Sequence, residues 1–329
     1  MNILMLTNTY RPMVGGVANS VERFCRDLRQ QGHNVIVTAP YHDKVKKEEG
    51  VIRVPAIQNF NGSDFSVIVP IPGLLESKIR DFGPDLVHSN HPFLIGSTAV
   101  RISKRHKIPL VYTHHTMFEN YLHYLPAEIP HMEKFIIDLS VGYANIADQL
   151  IAPSVSIREL LSSRGVKQPI EVIPTGVDYR RFSQGNRKKV RKSLGIPNNS
   201  FVMGHVGRLA EEKNLDFLSA AALKFMKNNK RAHVTITGCG PFEEHIHSKF
   251  LKAGLSHRLH LTGKKEGRDL IDIYHGMDVF IFTSKTETQG MVLTEAMSAG
   301  VPVIALDGPG VRDVLSNGIN GFLIESEKI

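Results

Sequence analysis

Short apolar runs rich in β-branched residues alternate along the chain with longer stretches in which apolar residues recur at helical spacing. This alternation is typical of parallel sheets covered by helices, because a helix returns the chain to the starting edge after each strand. The first half contains these strand candidates: Asn2 to Thr7, Asn34 to Ala39, Val51 to Ala56, Asp85 to Ser89, Leu110 to Thr113, Gln149 to Ala152 and Ile170 to Ile173. The second half contains these: Phe201 to Val206, His233 to Thr237, Leu259 to Thr262, Val279 to Thr283, Pro302 to Leu306 and Gly321 to Ile324. The pattern predicts an α/β protein with two doubly wound units.

The apolar pattern is interrupted after the strand candidate that ends at Ile173. Pro174 and Gly176 follow it, and both residue types break regular structure. The segment from Arg180 to Lys192 then carries seven basic residues out of thirteen. We predict two domains, residues 1–175 and residues 176–329. We interpret the basic segment as a solvated linker and the first helix of the second domain, in preference to a patch for nucleic acid or lipid.

Two carboxylates, Glu287 and Glu295, lie on either side of a predicted loop-to-helix junction at Gly290. Exposed backbone amides of Gly290 and Met291 at a helix start could hold a phosphate, helped by the helix dipole. A carboxylate offers about four acceptor sites to the hydroxyl donors of a sugar. Glu295 could then accept the hydroxyls of a ribose, and Glu287 those of a transferred sugar. Taken alone, the spacing favours a solvated loop residue at Glu287 and an exposed helix residue at Glu295.

Two basic residues, Arg208 and Lys213, follow the strand candidate that ends at Val206. Cations in this position can neutralise a diphosphate, and an arginine can engage two oxygens at once. The same side chains could instead pair with Glu211 and Glu212 on a helix surface.

The first half contains a glycine pair and a histidine pair after predicted strands. Gly15 and Gly16 precede a predicted helix, but they do not form a GxGxxG motif, and no acidic residue closes the second strand at Ala39, which disfavours an NAD site. His114 and His115 follow the strand candidate Leu110 to Thr113, where ligands bind in open α/β sheets. Other histidines of this half show no metal-ligand spacing, so we expect no metal site; those considered are His88, His91, His123 and His131.

Composition narrows the class of protein. Apolar residues make up 42% of the 329 residues and charged residues 22%, as in ordinary globular proteins. The two cysteines, Cys25 and Cys239, lie in different predicted elements, which indicates a reducing compartment, and we expect Cys239 to be a small buried residue. No signal peptide pattern follows Met1, and no apolar run approaches the roughly 18 residues of a membrane span, so we expect a cytosolic protein. The net charge of +8 favours anionic partners, which could be nucleotides, nucleic acid or a membrane surface.

The segment DVFIFTSKTETQGMVLTEAMSAGVPVIALD, together with the motifs above, resembles the retaining GT-B glycosyltransferases of family 4 over essentially the whole chain. That resemblance implies two Rossmann-like domains that face each other across a cleft, an acceptor-binding N-terminal domain and a donor-binding C-terminal domain. GT-B proteins continue through further helices after the last strand. The resemblance therefore implies that C-terminal helices are missing from this chain.

The resemblance also implies roles for individual residues. Thr113, His115 and Thr116 match a T-x-H-T-like motif, so His115 is expected to contact the donor sugar. Gly207, Arg208 and Lys213 match the pattern G-R-x-x-x-x-K. With Glu287, these give the expected catalytic residues: His115, Arg208, Lys213 and Glu287. The expected donor-binding residues are Gly15, Gly16, Gly238, Gly240, Lys264, Gln289, Gly290, Met291, Val292 and Glu295. Cys239 stands in the G-x-G-P turn where relatives commonly have an acidic residue.

The implied reaction is metal-independent front-face transfer of a hexose from a nucleotide sugar, with UDP-sugar favoured and no cofactor or metal. The segments resemble most closely the bacterial diacylglycerol glucosyltransferase subgroup, which implies a membrane lipid as acceptor and peripheral contact with anionic membrane, but no nucleic acid partner. Soluble sugar or glycan acceptors stay open, as does a non-catalytic sugar-nucleotide or lipid-binding protein. An epimerase would need acid-base carboxylates that the first half does not show, and a phosphorylase would need a pyridoxal lysine and a longer chain.

Overall fold

The computed structural model describes residues 1–13, 15–43, 45, 48–58, 66–69, 73, 75–124 and 130–328, except for the side chains of residues 67, 123 and 124. The chain divides into two compact units, Met1–Thr175 and Gly176–Ile329. Each unit is built on a parallel sheet that carries helices. The two doubly wound α/β units predicted from the hydrophobic pattern are confirmed.

The first unit has a seven-stranded parallel sheet in the order β3-β2-β1-β6-β7-β8-β9. Its strands are β1 (Asn2–Leu6), β2 (Asn34–Pro40), β3 (Val51–Val54), β6 (Leu86–Ser89), β7 (Leu110–Thr113), β8 (Gln149–Ala152) and β9 (Ile170–Val172). A separate antiparallel pair is formed by β4 (Ala56–Ile57) and β5 (Val67–Ile68). The helices are α1 (Gly16–Gln30), α2 (Glu76–Phe82), α3 (Ile95–His106), α4 (Met132–Ala144) and α5 (Val155–Ser163), with a 3₁₀ turn at Phe118–Tyr124.

The second unit has a six-stranded parallel sheet in the order β12-β11-β10-β13-β14-β15. Its strands are β10 (Phe201–Val206), β11 (Ala232–Thr237), β12 (Leu259–Leu261), β13 (Val279–Phe282), β14 (Val303–Leu306) and β15 (Phe322–Ile324). Its helices are α6 (Tyr179–Phe182), α7 (Arg187–Ser193), α8 (Leu215–Asn228), α9 (Glu243–Lys252), α10 (Gly267–Gly276) and α11 (Met291–Ser298), with 3₁₀ turns at Glu211–Lys213 and Ser256–Arg258.

Alternating side chains on the central strands explain why both faces of each sheet are covered. In β1, Leu4 and Leu6 join one buried cluster, whereas Ile3 and Met5 join another on the opposite face. Successive residues of a strand point to opposite faces, so a strand that is apolar at every position needs helices on both sides. This requirement produces the doubly wound arrangement and leaves the ends of the strands open to ligands.

The strand order reverses once in each sheet, and this reversal locates the expected binding edge. In the first unit, β1 lies between β2 and β6, and in the second unit β10 lies between β11 and β13. The chain leaves these neighbouring strands in opposite directions, which opens a crevice at their carboxyl ends. Ligands of open α/β sheets bind at such a switch point.

Two details differ from the sequence expectations. The third strand ends at Val54 and not at Ala56, because Pro55 cannot donate to a sheet ladder. The basic segment forms α6 and α7, but it is not wholly solvated, because Arg191 is fully buried. Its guanidinium donates to the Gly276 carbonyl at 2.9 Å and to Asp278 at 2.6 Å. Arg191 therefore anchors the start of the second unit.

Candidate functional site

The carboxyl edge of the second sheet brings together the loops that carry most of the predicted site residues. Arg208 follows β10, Gly238 and Gly240 follow β11, Lys264 follows β12 and Glu287 follows β13. Since β12, β11, β10 and β13 are adjacent in that order, these loops are neighbours along one edge. The switch point lies between the loop after β10 and the loop after β13.

Lys213 and Glu287 form an ion pair across this switch point. The Lys213 ammonium donates to Oε2 of Glu287 at 3.3 Å, and the two side chains are 15% and 22% exposed. Hydroxyl groups reinforce the contact, because Thr283 donates to the Lys213 carbonyl at 2.9 Å. Ser284 donates to the Glu212 carbonyl at 3.2 Å. The loop after β13 is thereby fastened to the turn after β10.

The helix after this loop starts where the sequence predicts. Gly290 has a φ of 75° and precedes α11, and its carbonyl accepts from the amides of Leu293 and Thr294 at 3.0 and 3.3 Å. The left-handed backbone here suits glycine. Met291 and Val292 supply the first amides of the helix, which have no acceptor within it. Gln289 and Met291 are buried, so the helix start is less exposed than expected.

Gly310 makes a contact that sequence reasoning missed. It lies in the loop after β14 with a φ of 71°, and a Cβ there would stand 2.5 Å from the Gln289 nitrogen and 2.8 Å from the Glu287 carbonyl. The two loops can therefore approach this closely only with glycine at position 310. The sequence shows a glycine-rich turn here, but not what packs against it.

Glu295 lies on α11 and is only 6% exposed, which rules out the exposed helix residue that its spacing also allowed. Tyr274 of α10 donates its hydroxyl to Oε2 of Glu295 at 2.9 Å. Burial, with the neighbouring carboxylate, raises the pKa of Tyr274 well above its ordinary value. The tyrosine is therefore a permanent donor that orients Glu295, and no sequence motif pointed to it.

The turn at Gly238 and Gly240 packs against the backbone of the loop after β10. A Cβ at Gly238 would stand 1.8 Å from the Gly207 carbonyl, and one at Gly240 would stand 2.2 Å from that of Leu209. Cys239 was expected to be buried, and that expectation is wrong, because the thiol is exposed. Its carbonyl accepts from the Leu209 amide at 3.0 Å, so the backbone is held inward while the side chain faces solvent. Lys264 forms an ion pair with Glu266 at 3.1 Å.

The first unit places its predicted residues at the carboxyl edge of its own sheet. His115 follows β7, and its Nε2 lies 2.9 Å from Oδ1 of Asn90 in the loop after β6. His91 accepts from the Asn8 amide at its Nδ1, at 3.1 Å, which joins the loops after β1 and β6 across the switch point. These contacts were not visible in the sequence.

Gly15 is the N-cap residue of α1, and Gly16 is the first residue of that helix. No described atom lies within 4 Å of where a Cβ would stand at either glycine, and Gly15 is extended with a φ of 177°. Steric crowding within the described residues therefore does not require glycine here.

Three buried histidines and the partly buried His115 lie near this edge of the first sheet; the buried ones are His88, His91 and His114. Burial lowers the pKa of each, to about 4 for His88, His91 and His114 and well below the ordinary value for His115. His88, His91 and His114 lower the pKa of His115 further. All four rings are therefore neutral at pH 7.

The part of the chain that the structure describes contains neither a cluster of metal-binding side chains nor a helix that could span a membrane. No three His, Cys, Asp or Glu side chains of these residues are grouped so that they could hold a metal ion. Of the sequence candidates, the side chain of His123 lies outside the described residues. None of the described helices combines the length and apolar character needed to cross a membrane.

Comparison with known proteins gives matches along nearly the whole chain. Residues 14–181 match the family model described as Glycosyltransferase Family 4, and residues 186–329 match the one described as Glycosyl transferases group 1. An alpha-monoglucosyldiacylglycerol synthase of Streptococcus pneumoniae is 29% identical over 99% of this chain and 76% of its own length. A GDP-mannose-dependent alpha-mannosyltransferase of Mycobacterium tuberculosis is 29% identical over 98% of this chain and 83% of its own.

Solved structures show the same fold. The crystal structure of Anabaena Alr3699/HepE in complex with UDP-glucose has a TM-score of 0.75 and 22% identity, and the match covers 98% of this chain and 85% of that one. Sucrose-phosphate synthase from Thermosynechococcus elongatus has a TM-score of 0.78 and 18% identity, over 99% of this chain and 86% of that one. At these identities the likeness concerns the fold alone.

Proposed function

The chain belongs to glycosyltransferase family 4, and on that premise we propose that it transfers a hexose from a nucleotide-diphosphate sugar to an acceptor. The observation that carries the proposal is the Lys213 to Glu287 ion pair beside the start of α11. A cation, a carboxylate and free helix amides are the groups that a diphosphate and a sugar need. Here one switch point supplies all three.

Each group has a distinct proposed role in holding the donor. Arg208 and Lys213 bind the diphosphate together with the first amides of α11. Glu295, oriented by Tyr274, accepts the ribose hydroxyls. Glu287 accepts hydroxyls of the transferred sugar, since it is already held at the mouth of the loop by Lys213. His115 in the first unit contacts the donor sugar. The remaining predicted donor-binding residues lie alongside the bound donor.

We propose front-face substitution with retention of configuration. The bond from the anomeric carbon to the departing phosphate oxygen breaks, the bond to the acceptor oxygen forms on the same face, and the acceptor proton passes to that phosphate oxygen. Arg208, Lys213 and the helix amides stabilise the charge on the leaving diphosphate. Each such donor contributes about 3 to 4 kcal/mol to the transition state. These cations take the charge-neutralising part that a metal has in other transferases, so the proposed reaction needs no metal or cofactor.

The proposed acceptor is a membrane lipid such as diacylglycerol. One relative is named as an alpha-monoglucosyldiacylglycerol synthase, and the first unit has an apolar groove of about 490 Å³ beside α4. Phe93, Phe135, Leu139 and Ile146 line it, and Phe135 is 55% exposed. The net charge of +8 favours a peripheral position on anionic membrane, as expected for a cytoplasmic enzyme at the inner face.

A soluble sugar or glycan is the second candidate acceptor. A relative named as a D-inositol 3-phosphate glycosyltransferase supports it. The Phe135→Ser and Leu139→Ser variants separate the two candidates. Transfer to diacylglycerol in anionic vesicles should fall at least tenfold in each, whereas transfer to a soluble sugar should be unchanged.

The central experiment is a donor panel. UDP-, GDP- and ADP-sugars are incubated with the protein, with and without acceptors and with and without EDTA, and release of the nucleoside diphosphate is measured. We expect one donor, UDP-sugar by preference, to be turned over with EDTA present, and Glu287→Ala to abolish release. NMR of the product anomer tests retention. Binding without release for every donor and acceptor would indicate a non-catalytic binding protein and contradict the proposal.

A further inference from the structure

Asn90 lies at the switch point of the first sheet. It is not among the predicted site residues, and the proposed reaction assigns it no role. We propose that Asn90 is a positioning residue that holds His115 as the neutral Nε2–H tautomer, so that Nδ1 is the acceptor nitrogen of the ring. The inference rests on the proposed function, in which His115 contacts the donor sugar. It concerns which end of the ring accepts a hydroxyl.

The environment of Asn90 fixes which way its amide points. The residue is 4% exposed. Its Nδ2 lies 2.9 Å from the Met5 sulfur and 3.3 Å from the Leu6 carbonyl oxygen. A carbonyl and a thioether can only accept, so the NH₂ group faces them and Oδ1 faces His115. The reversed amide would place an oxygen against two acceptors and lose both contacts.

The orientation of Asn90 in turn fixes the proton on His115. Oδ1 of Asn90 lies 2.9 Å from Nε2 of His115. An amide oxygen cannot donate, so the proton of this hydrogen bond belongs to Nε2. Burial and the neighbouring His88, His91 and His114 lower the pKa of His115, which disfavours a second proton on the ring. Nδ1 is therefore an acceptor, as a sugar hydroxyl requires of its partner.

Further contacts make Asn90 a rigid support. Its backbone amide donates to the Leu6 carbonyl at 2.9 Å. The next residue, His91, accepts from the Asn8 amide, and its carbonyl accepts from the Ser89 hydroxyl at 2.9 Å. The loops after β1 and β6 are thus joined beside His115. Because asparagine is neutral, it orients the ring without the charge that would make an imidazolium favourable.

Nitrogen NMR of protein labelled with ¹⁵N-histidine and free of substrate tests the tautomer directly. A His115→Gln variant identifies the signals of His115. In the wild type we expect the pattern of a neutral ring protonated at Nε2. Asn90→Leu removes the acceptor, so the ring should lose that single tautomer. Asn90→Asp keeps an acceptor in the same place, so Nε2 should stay protonated, while the added negative charge should raise the pKa of the ring. Asn34→Leu, which removes an amide contact to Asn2 at the opposite edge of the sheet, should leave it unchanged.

Steady-state kinetics with the nucleotide-sugar donor test whether the tautomer of His115 affects donor binding and turnover. Asn90→Leu should raise the KM for the donor or lower kcat/KM by about tenfold, the worth of one hydrogen bond, with the thermal midpoint showing that the variant is folded. An Nδ1–H or doubly protonated His115 in the wild type would overturn the inference whatever the protein catalyses. An unchanged tautomer in Asn90→Leu would overturn it as well. The expected spectra in a protein that turns over no donor would support the role of Asn90 and contradict the proposed function alone.

Discussion

The Lys213 ammonium and the Glu287 carboxylate lie 3.3 Å apart across the reversal of strand order in the second sheet. Both side chains are largely shielded from solvent, so salt screens this pair less than a surface pair. Without substrate, each charge is neutralised by the other. In the proposed complex, the anionic phosphates of the donor contact Lys213, and the hydroxyls of its sugar donate to Glu287.

Exchanging the two charges separates stability from turnover. Lys213→Met and Glu287→Gln should each lower nucleotide release by about 100-fold or more, because each removes a group that acts on the donor. The double variant Lys213→Glu, Glu287→Lys restores the attraction and should recover most of the thermal stability. It should recover no turnover, since the phosphate then faces a carboxylate.

Asp216→Asn is the matched control for the charge exchange. Asp216 pairs with Lys249 on the surface of α8 and α9, and its side chain is 53% exposed. Its loss should leave nucleotide release unchanged. Turnover by the exchanged pair at the wild-type rate would show that the two residues serve only as a structural bridge.

We expect that Gly310 cannot be replaced by a residue with a side chain. A second glycine, Gly318, tests whether the contact between the two loops is the reason. In Gly310→Ala the new methyl meets the backbone of residues 287–289, so the loop that carries Glu287 must move. We expect loss of donor binding by calorimetry and a lower unfolding free energy. Gly318 has a similar φ of 75°, but no described atom lies within 4 Å of its Cβ position. Gly318→Ala therefore carries only the strain of about 1 kcal/mol expected for a left-handed non-glycine residue. Equal donor affinities of the two variants would contradict the loop contact.

The contact between Tyr274 and Glu295 should increase the affinity of the protein for the donor. Tyr274→Phe removes the hydroxyl that orients the carboxylate and leaves a buried acceptor short of a donor, which costs about 1 to 3 kcal/mol. We expect a lower melting temperature and a donor Kd raised about tenfold. Glu295→Gln should raise the Kd further, because the ribose hydroxyls lose a charged acceptor.

A discriminating measurement for this pair compares the nucleoside diphosphate with inorganic diphosphate. Only the former has a ribose. Tyr274→Phe and Glu295→Gln should weaken binding of the nucleoside diphosphate and leave that of inorganic diphosphate unchanged. A parallel loss for both ligands would place Glu295 away from the ribose.

The sequence was sufficient for features that depend on neighbouring residues. The alternation of short apolar runs with helical stretches gave the two parallel sheets, since each strand buries side chains on both faces. Gly290 marked the start of α11, because a left-handed residue there favours glycine. The loop position of Glu287 followed from the same junction.

Features that join distant parts of the chain were not predictable. Lys213 and Glu287 are 74 positions apart, and their contact depends on β13 lying beside β10, which no local pattern encodes. The same is true of Tyr274 beside Glu295. Arg191 was expected to be solvated, because the sequence does not show that the carbonyls of Ser200 and Gly276 accept from its guanidinium. Cys239 was expected to be buried because cysteine thiols usually are. Backbone contacts fix its turn instead, and the thiol is exposed.

The buried histidines predict how stability depends on pH. The folded pKa of His88, His91 and His114 is about 4, below the ordinary 6.5, so the unfolded chain binds more protons between these values. Stability is therefore full above pH 6.5 and is lost as the pH falls toward 4. Each ring should cost about 1 kcal/mol at pH 5.5. Urea unfolding at pH 7.5, 6.5 and 5.5 measures this loss.

Two histidine variants test whether the buried histidines cause the change of unfolding free energy with pH. His88→Gln removes one titrating group and should reduce the loss of unfolding free energy between pH 7.5 and 5.5 by that group's share. His106 is exposed at the end of α3, so His106→Gln should leave the slope as it is. Stability that rises on acidification, or a slope that His88→Gln leaves unchanged, would mean that these rings are not held neutral by burial. His115 and its neighbours should stay neutral in the folded protein between pH 7.5 and 5.5, because burial lowers their pKa values.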